Sequence, residues 1–370
     1  MRAADLHTIN DLGISSQELM RRAGTAIADE VAAVTDNNSE ILVVCGSGNN
    51  GGDGYVCAAE LLRRGYNAKV YACGGGLSED CRREKEQFSG TYARTIAGDV
   101  IVDCIFGTGL CREVTGEYAD IINAINASGA YVISADIPSG LSSDSGQILG
   151  TAVRADKTVA IAELKAGFAL ASGFDCCGTV VVKDIGICPD EGGYAAVYDD
   201  SDIAKFYPAR PRNSHKGTFG TATLVCGSAQ YVGSAVLAVS AALKSGCGYV
   251  KAVCADEVIA AIAPNFPQTV FSVQPDLSSR AIAIGMGCGA SQALHDTIDY
   301  LLKEYTGTLI VDADGLNSLA MYGTDILKDK KCNVILTPHI KEFSRISGKT
   351  AEEVLAAPVA CAQQLAREYA

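Results

Sequence analysis

Three polar loops hold the side chains of this 370-residue chain that could do chemistry. They are residues 46–54 (GSGNNGGDG), 107–113 (GTGLCRE) and 136–140 (DIPSG), and each follows a short apolar run. If those runs are parallel strands, the loops emerge at the same edge of the sheet and converge on one crevice. The sequence therefore predicts a single ligand site built from three separate segments.

The first loop offers two amides, Asn49 and Asn50, and the carboxylate of Asp53. A helical pattern follows it, and the free N–H groups at a helix start favour anions. This set of groups is suited to a ligand with a phosphate and several polar atoms. The alternative is that the Asn and Gly residues only shape a turn, which would explain some of the glycines but not the whole motif.

The glycines of this loop also match G-x-G-x-x-G, which is typical of dinucleotide-binding folds. That motif requires an acidic residue about 20 residues later, at the end of the next strand. Here the next strand ends in Tyr71-Ala72-Cys73-Gly74, without an acid. An ordinary nicotinamide-dependent dehydrogenase is therefore disfavoured.

Asn50, Asp103 and Ser139 could supply oxygen ligands at the same edge of the sheet. Such ligands suit an alkali or alkaline-earth cation and are unsuited to zinc. An equally good interpretation is that Asp103 is a buried carboxylate whose oxygens accept hydrogen bonds from N–H groups. The residues alone leave both interpretations open.

Alternation of apolar runs and helical patterns predicts an α/β fold for the elements that position these loops. Ser15 and Glu18 have capping-box spacing at the start of the first amphipathic helix. The predicted strands are residues 41–45, 69–73, 100–106, 131–135, 158–162 and 180–185, then 222–226, 249–254, 281–285, 308–311 and 333–336. A Pro- and Gly-containing stretch between the two series predicts domains of residues 1–205 and 206–370.

Composition excludes several classes of protein. The net charge of -13, with no basic run, argues against a nucleic-acid or anionic-membrane surface. The N-terminus lacks a signal-peptide pattern, and none of the fifteen cysteines are spaced as C-x-x-C. We therefore expect a cytoplasmic protein with reduced cysteines and neither a zinc site nor a disulfide framework.

The first half resembles the epimerase domain of the NAD(P)H-hydrate repair proteins, through residues 49–53, 102–113 and 136–141. The resemblance implies a Rossmann-like three-layer αβα domain that inverts C6 of the hydrated cofactors NADHX and NADPHX. It implies a potassium ion held by Asn50, Asp103 and Ser139. The substrate contacts it implies are Asn49, Asn50, Gly51, Gly52, Asp53, Gly107, Thr108, Gly109, Leu110, Cys111, Arg112, Glu113, Tyr118 and Asp136.

The second half resembles the ADP-dependent NAD(P)H-hydrate dehydratase, a ribokinase-like α/β domain. Matching segments are residues 213–220, 227–235, 284–289, 312–317 and 336–343. The resemblance implies hydrate contacts at Gly289 and His339 and a requirement for ADP or ATP. Because the family's nucleotide-binding segment would lie beyond Ala370, we expect this half to be incomplete and unable to dehydrate the substrate.

We expect Asp136 to be the acid/base group, since it is a carboxylate at a strand's carboxyl end among ligand loops. Asp53 is its rival, and Lys165 could assist. A non-catalytic cofactor sensor or scaffold is the main alternative to an enzyme, and a small-molecule kinase is a weaker one. We also expect a homo-oligomer whose only other partner is its small-molecule substrate.

Overall fold

The computed structural model describes residues 2–188, 195–207 and 209–370. The chain divides into two compact units, the first ending at Val197 and the second beginning at Tyr198. Both units are parallel α/β structures, which confirms the predicted fold class. The domain boundary near residue 205 stays a prediction.

The first unit is built on seven parallel strands in the order β3-β2-β1-β4-β5-β6-β7. The strands are β1 Glu40–Cys45, β2 Asn67–Ala72, β3 Thr91–Tyr92, β4 Val100–Cys104, β5 Tyr131–Ala135, β6 Lys157–Ile161 and β7 Thr179–Lys183. Its helices are α1 Arg2–Asn10, α2 Ser16–Ala32, α3 Asn49–Arg63, α4 Glu79–Gln87, α5 Glu117–Ala127 and α6 Gly173–Cys176. The first six strands in the order are those of a doubly wound dinucleotide-binding sheet.

Helices cover both faces of this sheet because successive residues of its central strand point to opposite sides. Val43 lies in one apolar cluster with Ile27 of α2 and Tyr55 of α3. Leu42 lies in another cluster with Ile122 of α5. The predicted three-layer αβα arrangement is therefore confirmed.

The predicted cap of the first long helix is present as well. Ser15 is the N-cap of α2, and its side chain accepts a hydrogen bond from the N–H of Glu18. The Glu18 side chain does not complete a capping box but accepts hydrogen bonds from Arg21 and Arg22. The cap sets where α2 begins, so that its apolar side packs on the sheet.

The second unit has six parallel strands in the order β10-β9-β8-β11-β12-β13. The strands are β8 Thr221–Val225, β9 Tyr249–Val253, β10 Val270–Ser272, β11 Ala281–Ile284, β12 Thr308–Val311 and β13 Asn333–Leu336. The helices are α7 Asp200–Phe206, α8 Val232–Lys244, α9 Asp256–Ile262, α10 Gln292–Glu304, α11 Asp314–Tyr322, α12 Ile340–Ser347, α13 Ala351–Ala356 and α14 Pro358–Glu368.

Two apolar clusters hold the second unit together. Leu224 of β8 and Val250 of β9 pack against Val239 of α8. Leu309 of β12 packs in a second cluster with Leu301 of α10. In the part of the chain that the structure describes, no helix has the length and apolar character needed to span a bilayer.

Candidate functional site

The carboxyl ends of β1, β4 and β5 open onto a cavity of about 560 Å³ in the first unit. Loops after those three strands contribute most of its polar wall, as the parallel arrangement predicts. Ten of the residues predicted to contact substrate line it: Asn49, Asn50, Asp53, Gly107, Thr108, Gly109, Leu110, Cys111, Arg112 and Asp136. The three loops that the sequence predicts to converge do converge.

Four other predicted contacts lie away from the lining of this cavity. Gly51 and Gly52 are buried in the first turn of α3, and Glu113 is exposed on the loop after β4. Tyr118 lies on α5, where its ring packs against Phe106 at a centroid distance of 4.8 Å. Because Phe106 itself lines the cavity, Tyr118 supports the wall from behind.

The tight strand-to-helix turn explains two of the glycines in the first loop. A Cβ on Gly46 would lie 2.1 Å from the carbonyl oxygen of Ile105, and one on Gly51 would lie 2.0 Å from that of Gly46. No side chain fits at either position. The tight turn alone therefore explains why both residues are glycine, without a role in ligand binding. Gly48 is the N-cap of α3 and has no side-chain cap, which leaves the helix start open to an anion.

Asn49 and Asn50 have different environments. The Oδ1 atom of Asn49 accepts a hydrogen bond of 2.7 Å from Ser78, which ties the loop to the start of α4. Asn50 is buried, and neither its amide nitrogen nor its amide oxygen has a hydrogen-bond partner among the described residues. An unsatisfied buried amide costs about 1 to 3 kcal/mol per group, so this side chain lacks a partner that a ligand could supply.

Asp103 is fully buried within β4 and is satisfied by its neighbours. Its carboxylate accepts hydrogen bonds from the hydroxyl groups of Ser139 (2.6 Å) and Ser134 (2.8 Å) and from the N–H of Ser139 (2.9 Å). Burial raises the pKa of Asp103, and these hydrogen bonds oppose the rise. Asp103 therefore has hydrogen-bond partners among the described residues, and its predicted role as a cation ligand stays a prediction.

Ser139 connects two of the three loops through the same network. Its hydroxyl donates to Asp103 and accepts a hydrogen bond of 2.8 Å from the N–H of Phe106. No group of three His, Cys, Asp or Glu side chains suited to a metal ion occurs in the described ranges. The potassium site implied by the resemblance therefore stays a prediction.

Asp136 is held in a strained backbone conformation at the end of β5. Its φ is 64°, in the left-handed region that non-glycine residues rarely adopt, and its N–H donates to Val159 at 2.8 Å. The carboxylate forms an ion pair with Lys165, whose side chain is only 3% exposed against 17% for Asp136. The strained backbone places the Asp136 carboxylate at the cavity, and the ion pair holds Lys165 beside it.

Lys165 is fixed from its other side by a hydrogen bond of 2.9 Å to the carbonyl of Ile161, at the end of β6. Gly107 lets the charged pair approach the second loop, since a Cβ there would lie 3.3 Å from Oδ2 of Asp136 and 3.6 Å from the Asn50 side chain. Asp136 and Asn50 therefore flank the same glycine. This places a carboxylate, an ammonium group and an unpartnered amide around one small volume.

Two further carboxylates border the cavity. Burial raises the pKa of Asp53 well above its ordinary value, and the charge of Asp136 adds to the effect. Asp5 lies on α1, where burial again raises the pKa of the carboxyl. Asp53 is thus suited to hold a proton, whereas Asp136 has a cation as its partner.

No sequence pattern indicated that α1 contributes to the cavity. Asp5 and Ile9 line the cavity, and Thr8 anchors the helix by accepting a hydrogen bond of 3.0 Å from the N–H of Cys188. This contact joins residues 180 positions apart, so no local spacing could reveal it. Met20 of α2 also borders the cavity and was missed for the same reason.

The two predicted site residues of the second unit lie in loops after β11 and β13. The N–H of Gly289 donates to the Asp314 side chain at 2.8 Å. His339 is the N-cap of α12, where its Nδ1 accepts hydrogen bonds from the N–H groups of Lys341 and Glu342. Helix capping explains the position of His339, and its role towards a substrate stays a prediction.

Comparison with protein families assigns the two halves separately. Residues 16–167 match the family described as YjeF-related protein N-terminus. Residues 222–370 match the family described as NAD(P)H-hydrate dehydratase. The expectation that the second half is incomplete and inactive is not supported, because the dehydratase family matches this half.

Curated relatives match across both halves. A bifunctional NAD(P)H-hydrate repair enzyme of Thermofilum pendens is 32% identical over 99% of this chain and 76% of the relative. The corresponding enzyme of Salinibacter ruber is 30% identical, over 100% of this chain and 78% of its own length.

Two solved structures each match about half of the chain. The ADP/ATP-dependent NAD(P)H-hydrate dehydratase of Bacillus subtilis, co-crystallised with ATP and Mg²⁺, is 29% identical with a TM-score of 0.41; the match covers 46% of this chain and 62% of that one. A yeast protein is 22% identical with a TM-score of 0.42, and that match covers 50% and 84% of the two chains.

Proposed function

Because the chain belongs to the bifunctional NAD(P)H-hydrate repair enzymes, we propose that its first unit epimerises the R and S forms of NADHX and NADPHX. The reaction takes place in the cavity at the carboxyl edge of the first sheet. The observation that supports this most directly is the convergence there of the Asp136–Lys165 ion pair with the unpartnered amide of Asn50. A carboxylate for proton transfer and an amide for substrate binding are both within the cavity wall.

The glycine-containing loops bind the phosphate end of the substrate. The uncapped start of α3 presents backbone N–H groups, and Arg112 on the second loop adds a cation at the cavity lining. The two features lie on loops after neighbouring strands β1 and β4. They orient the substrate so that the nicotinamide ring lies towards Asp136.

Asp136 is the acid/base group, and Lys165 is its positioning partner. Inversion at C6 requires that the hydroxyl group leave with a proton and that water return to the other face and lose one. Lys165 holds the carboxylate in one place and gives its charge a buried cationic partner. Asp53, whose raised pKa favours the protonated form, is the second carboxyl that could deliver the first proton.

The potassium ion of the family fits the oxygen donors present here. Asn50 supplies a buried amide oxygen without a partner, and Asp103 and Ser139 supply further oxygens in the same loops. These three residues would hold the ion. When bound, it would supply a positive charge that stabilises the phosphates of the substrate.

For the second unit we propose that the loops of Gly289 and His339 contact the hydrated cofactor and that ADP or ATP is the co-substrate. Both residues follow strands whose carboxyl ends lie at one edge of the sheet. In parallel α/β sheets, ligands bind at that edge. The family match to the dehydratase over residues 222–370 supports this assignment.

The test is a coupled assay on a mixture of R and S hydrates of NADH. The purified chain is combined with an independent S-specific dehydratase and its nucleotide, and formation of NADH from the R portion is followed. Rapid recovery of all the hydrate is the expected result, because epimerisation feeds the S form. Rapid recovery of the S portion alone would instead support a non-catalytic cofactor sensor. A control without the added dehydratase measures dehydration by the chain itself.

A further inference from the structure

Two cysteine thiols lie side by side at the carboxyl edge of the second sheet. Cys226 directly follows β8 and Cys254 directly follows β9, and these neighbouring strands are in register up to Val225 and Val253. The two Sγ atoms are 3.9 Å apart. Cys226 is buried and Cys254 half-buried within one apolar cluster. We propose that these two thiols are a redox modification site, which closes to a disulfide in the folded protein.

The backbone geometry permits this bond. Neighbouring strands lie about 4.8 Å apart, which is within the Cα separation of about 4.4 to 6.8 Å that disulfides span. The sulfur atoms must approach by roughly 1.9 Å to reach the bond length of about 2.05 Å. Both residues lie just beyond the last register pair of the two strands, so the bond would form by side-chain rotation together with a shift of the strand ends.

The two thiols are chemically unequal. Cys254 is the more accessible, and the contact between the two thiols lowers the pKa of Cys254. The same contact, together with burial, raises the pKa of Cys226. Cys254 is therefore the thiol that reacts first with an oxidant.

The exchange balances with a small-molecule disulfide such as glutathione disulfide as the oxidant. The Cys254 thiol loses its proton to solvent, and the thiolate attacks one sulfur of the oxidant, which forms a mixed disulfide and releases one thiolate. The Cys226 thiol then loses its proton, attacks Sγ of Cys254 and releases the second small thiolate. Two protein thiols are oxidised, and one small disulfide is reduced to two thiols.

The pair adjoins the loop that holds Gly289. The N–H of Gly227 donates to the carbonyl of Met286 at 2.8 Å, and the Cys288 thiol donates to the carbonyl of Val225 at 3.3 Å. Closing the disulfide would therefore act on strand ends that contact residues 285–289. In the described part of the chain these thiols belong to no group of three or more metal-ligating side chains.

The first sheet contains a matched pair that differs in accessibility. Cys45 and Cys104 are direct register partners on β1 and β4, but they are 1% and 0% exposed. Burial raises the pKa of both thiols well above its ordinary value. We expect this pair to stay reduced under conditions that oxidise Cys226 and Cys254, because neither thiol can reach an oxidant.

The experiment treats the folded, full-length chain with glutathione disulfide, alkylates the remaining thiols, and maps the digested protein by mass spectrometry. The expected product is a crosslinked peptide joining Cys226 to Cys254 that dithiothreitol removes. It is expected to disappear in Cys254→Ser and to persist in Cys111→Ser, in which an exposed cysteine of the first unit is replaced.

The proposal is wrong if the folded parent protein retains alkylatable thiols at both positions while exposed Cys111 and Cys188 carry mixed disulfides. It is equally wrong if the crosslink appears only together with one between Cys45 and Cys104, because that pattern indicates unfolding. The mass shift is measured without an activity assay. The result is therefore independent of whether the first unit is an epimerase.

Discussion

The two units share a strand order but differ in what lies at the carboxyl edge. In the first sheet, that edge opens onto a cavity lined by the charged side chains of Asp5, Asp53, Arg112 and Asp136, and Asp136 is paired with the buried Lys165. In the second, the predicted histidine caps a helix, and two thiols lie together beside a glycine loop. The order 3-2-1-4-5-6 places loops together in both cases, and the residues on those loops decide the chemistry.

The largest expected effect is the loss of epimerisation rate when Asp136 is replaced. We expect Asp136→Asn to lower the rate of epimerisation by roughly 100- to 10,000-fold, since it removes the acid/base group while keeping its shape. Rates with saturating NADHX measure the effect. Asp144→Asn, which changes a carboxylate outside the cavity lining, is the control and should keep the parent rate. If Asp136→Asn stays within a few-fold of the parent, the assigned role of Asp136 is wrong.

The next effect concerns the buried ion pair. We expect Lys165→Met to lower the free energy of unfolding of the first unit by about 3 to 5 kcal/mol, because the carboxylate of Asp136 would lose its partner. Urea unfolding measures this. Arg21→Met, which breaks an exposed pair with Glu18, should cost far less. Equal costs for the two variants would contradict the view that the pair at the cavity differs from those on the surface.

Asp53 should make stability depend on pH. Its pKa in the folded protein lies above the ordinary value of 3.8, so the folded state holds a proton that the unfolded chain releases. The free energy of unfolding of the parent therefore falls as pH rises through the window above 3.8. We expect Asp53→Asn to be more stable than the parent near neutral pH, with a difference that vanishes in acid. Urea titrations at several pH values test the sign, and a difference that grows in acid would contradict it.

The smallest effect is expected at His339 in the second unit. We expect His339→Ala to cost about 1 kcal/mol through loss of the N-cap and to leave epimerisation unchanged. His339→Asn keeps a capping side chain and should retain most of that stability. Calorimetry on both variants gives the comparison. If His339→Asn keeps stability but loses binding of NADHX to the second unit, the predicted substrate contact is confirmed beside the capping role.

Sequence patterns predicted most of the strands, because a buried parallel strand appears in the sequence as a short run of apolar residues. The runs at residues 131–135, 308–311 and 333–336 coincide with β5, β12 and β13. The short strand β3 was missed, since Thr91–Tyr92 is exposed and lacks an apolar run. Convergence of the three loops followed from parallel topology alone.

Long-range contacts explain what the sequence could not predict. Asp5 reaches the cavity only because α1 is anchored to Cys188, and nothing in its local spacing indicates this. The orphaned amide of Asn50 and the satisfied carboxylate of Asp103 look alike as polar residues in a motif. Only packing distinguishes the Asn50 amide, which has no hydrogen-bond partner among the described residues, from the Asp103 carboxylate, which accepts four hydrogen bonds.

The most direct test of the central claim is the interconversion of separated epimers in the absence of ADP, ATP and any added dehydratase. Purified R-NADHX is mixed with the chain, and the R and S forms are followed by NMR. We predict rapid approach to the equilibrium mixture with the parent protein and slow, near-spontaneous conversion with Asp136→Asn. No acceleration by the parent, with the substrate bound, would contradict the claim that the cavity of the first unit is a catalytic site.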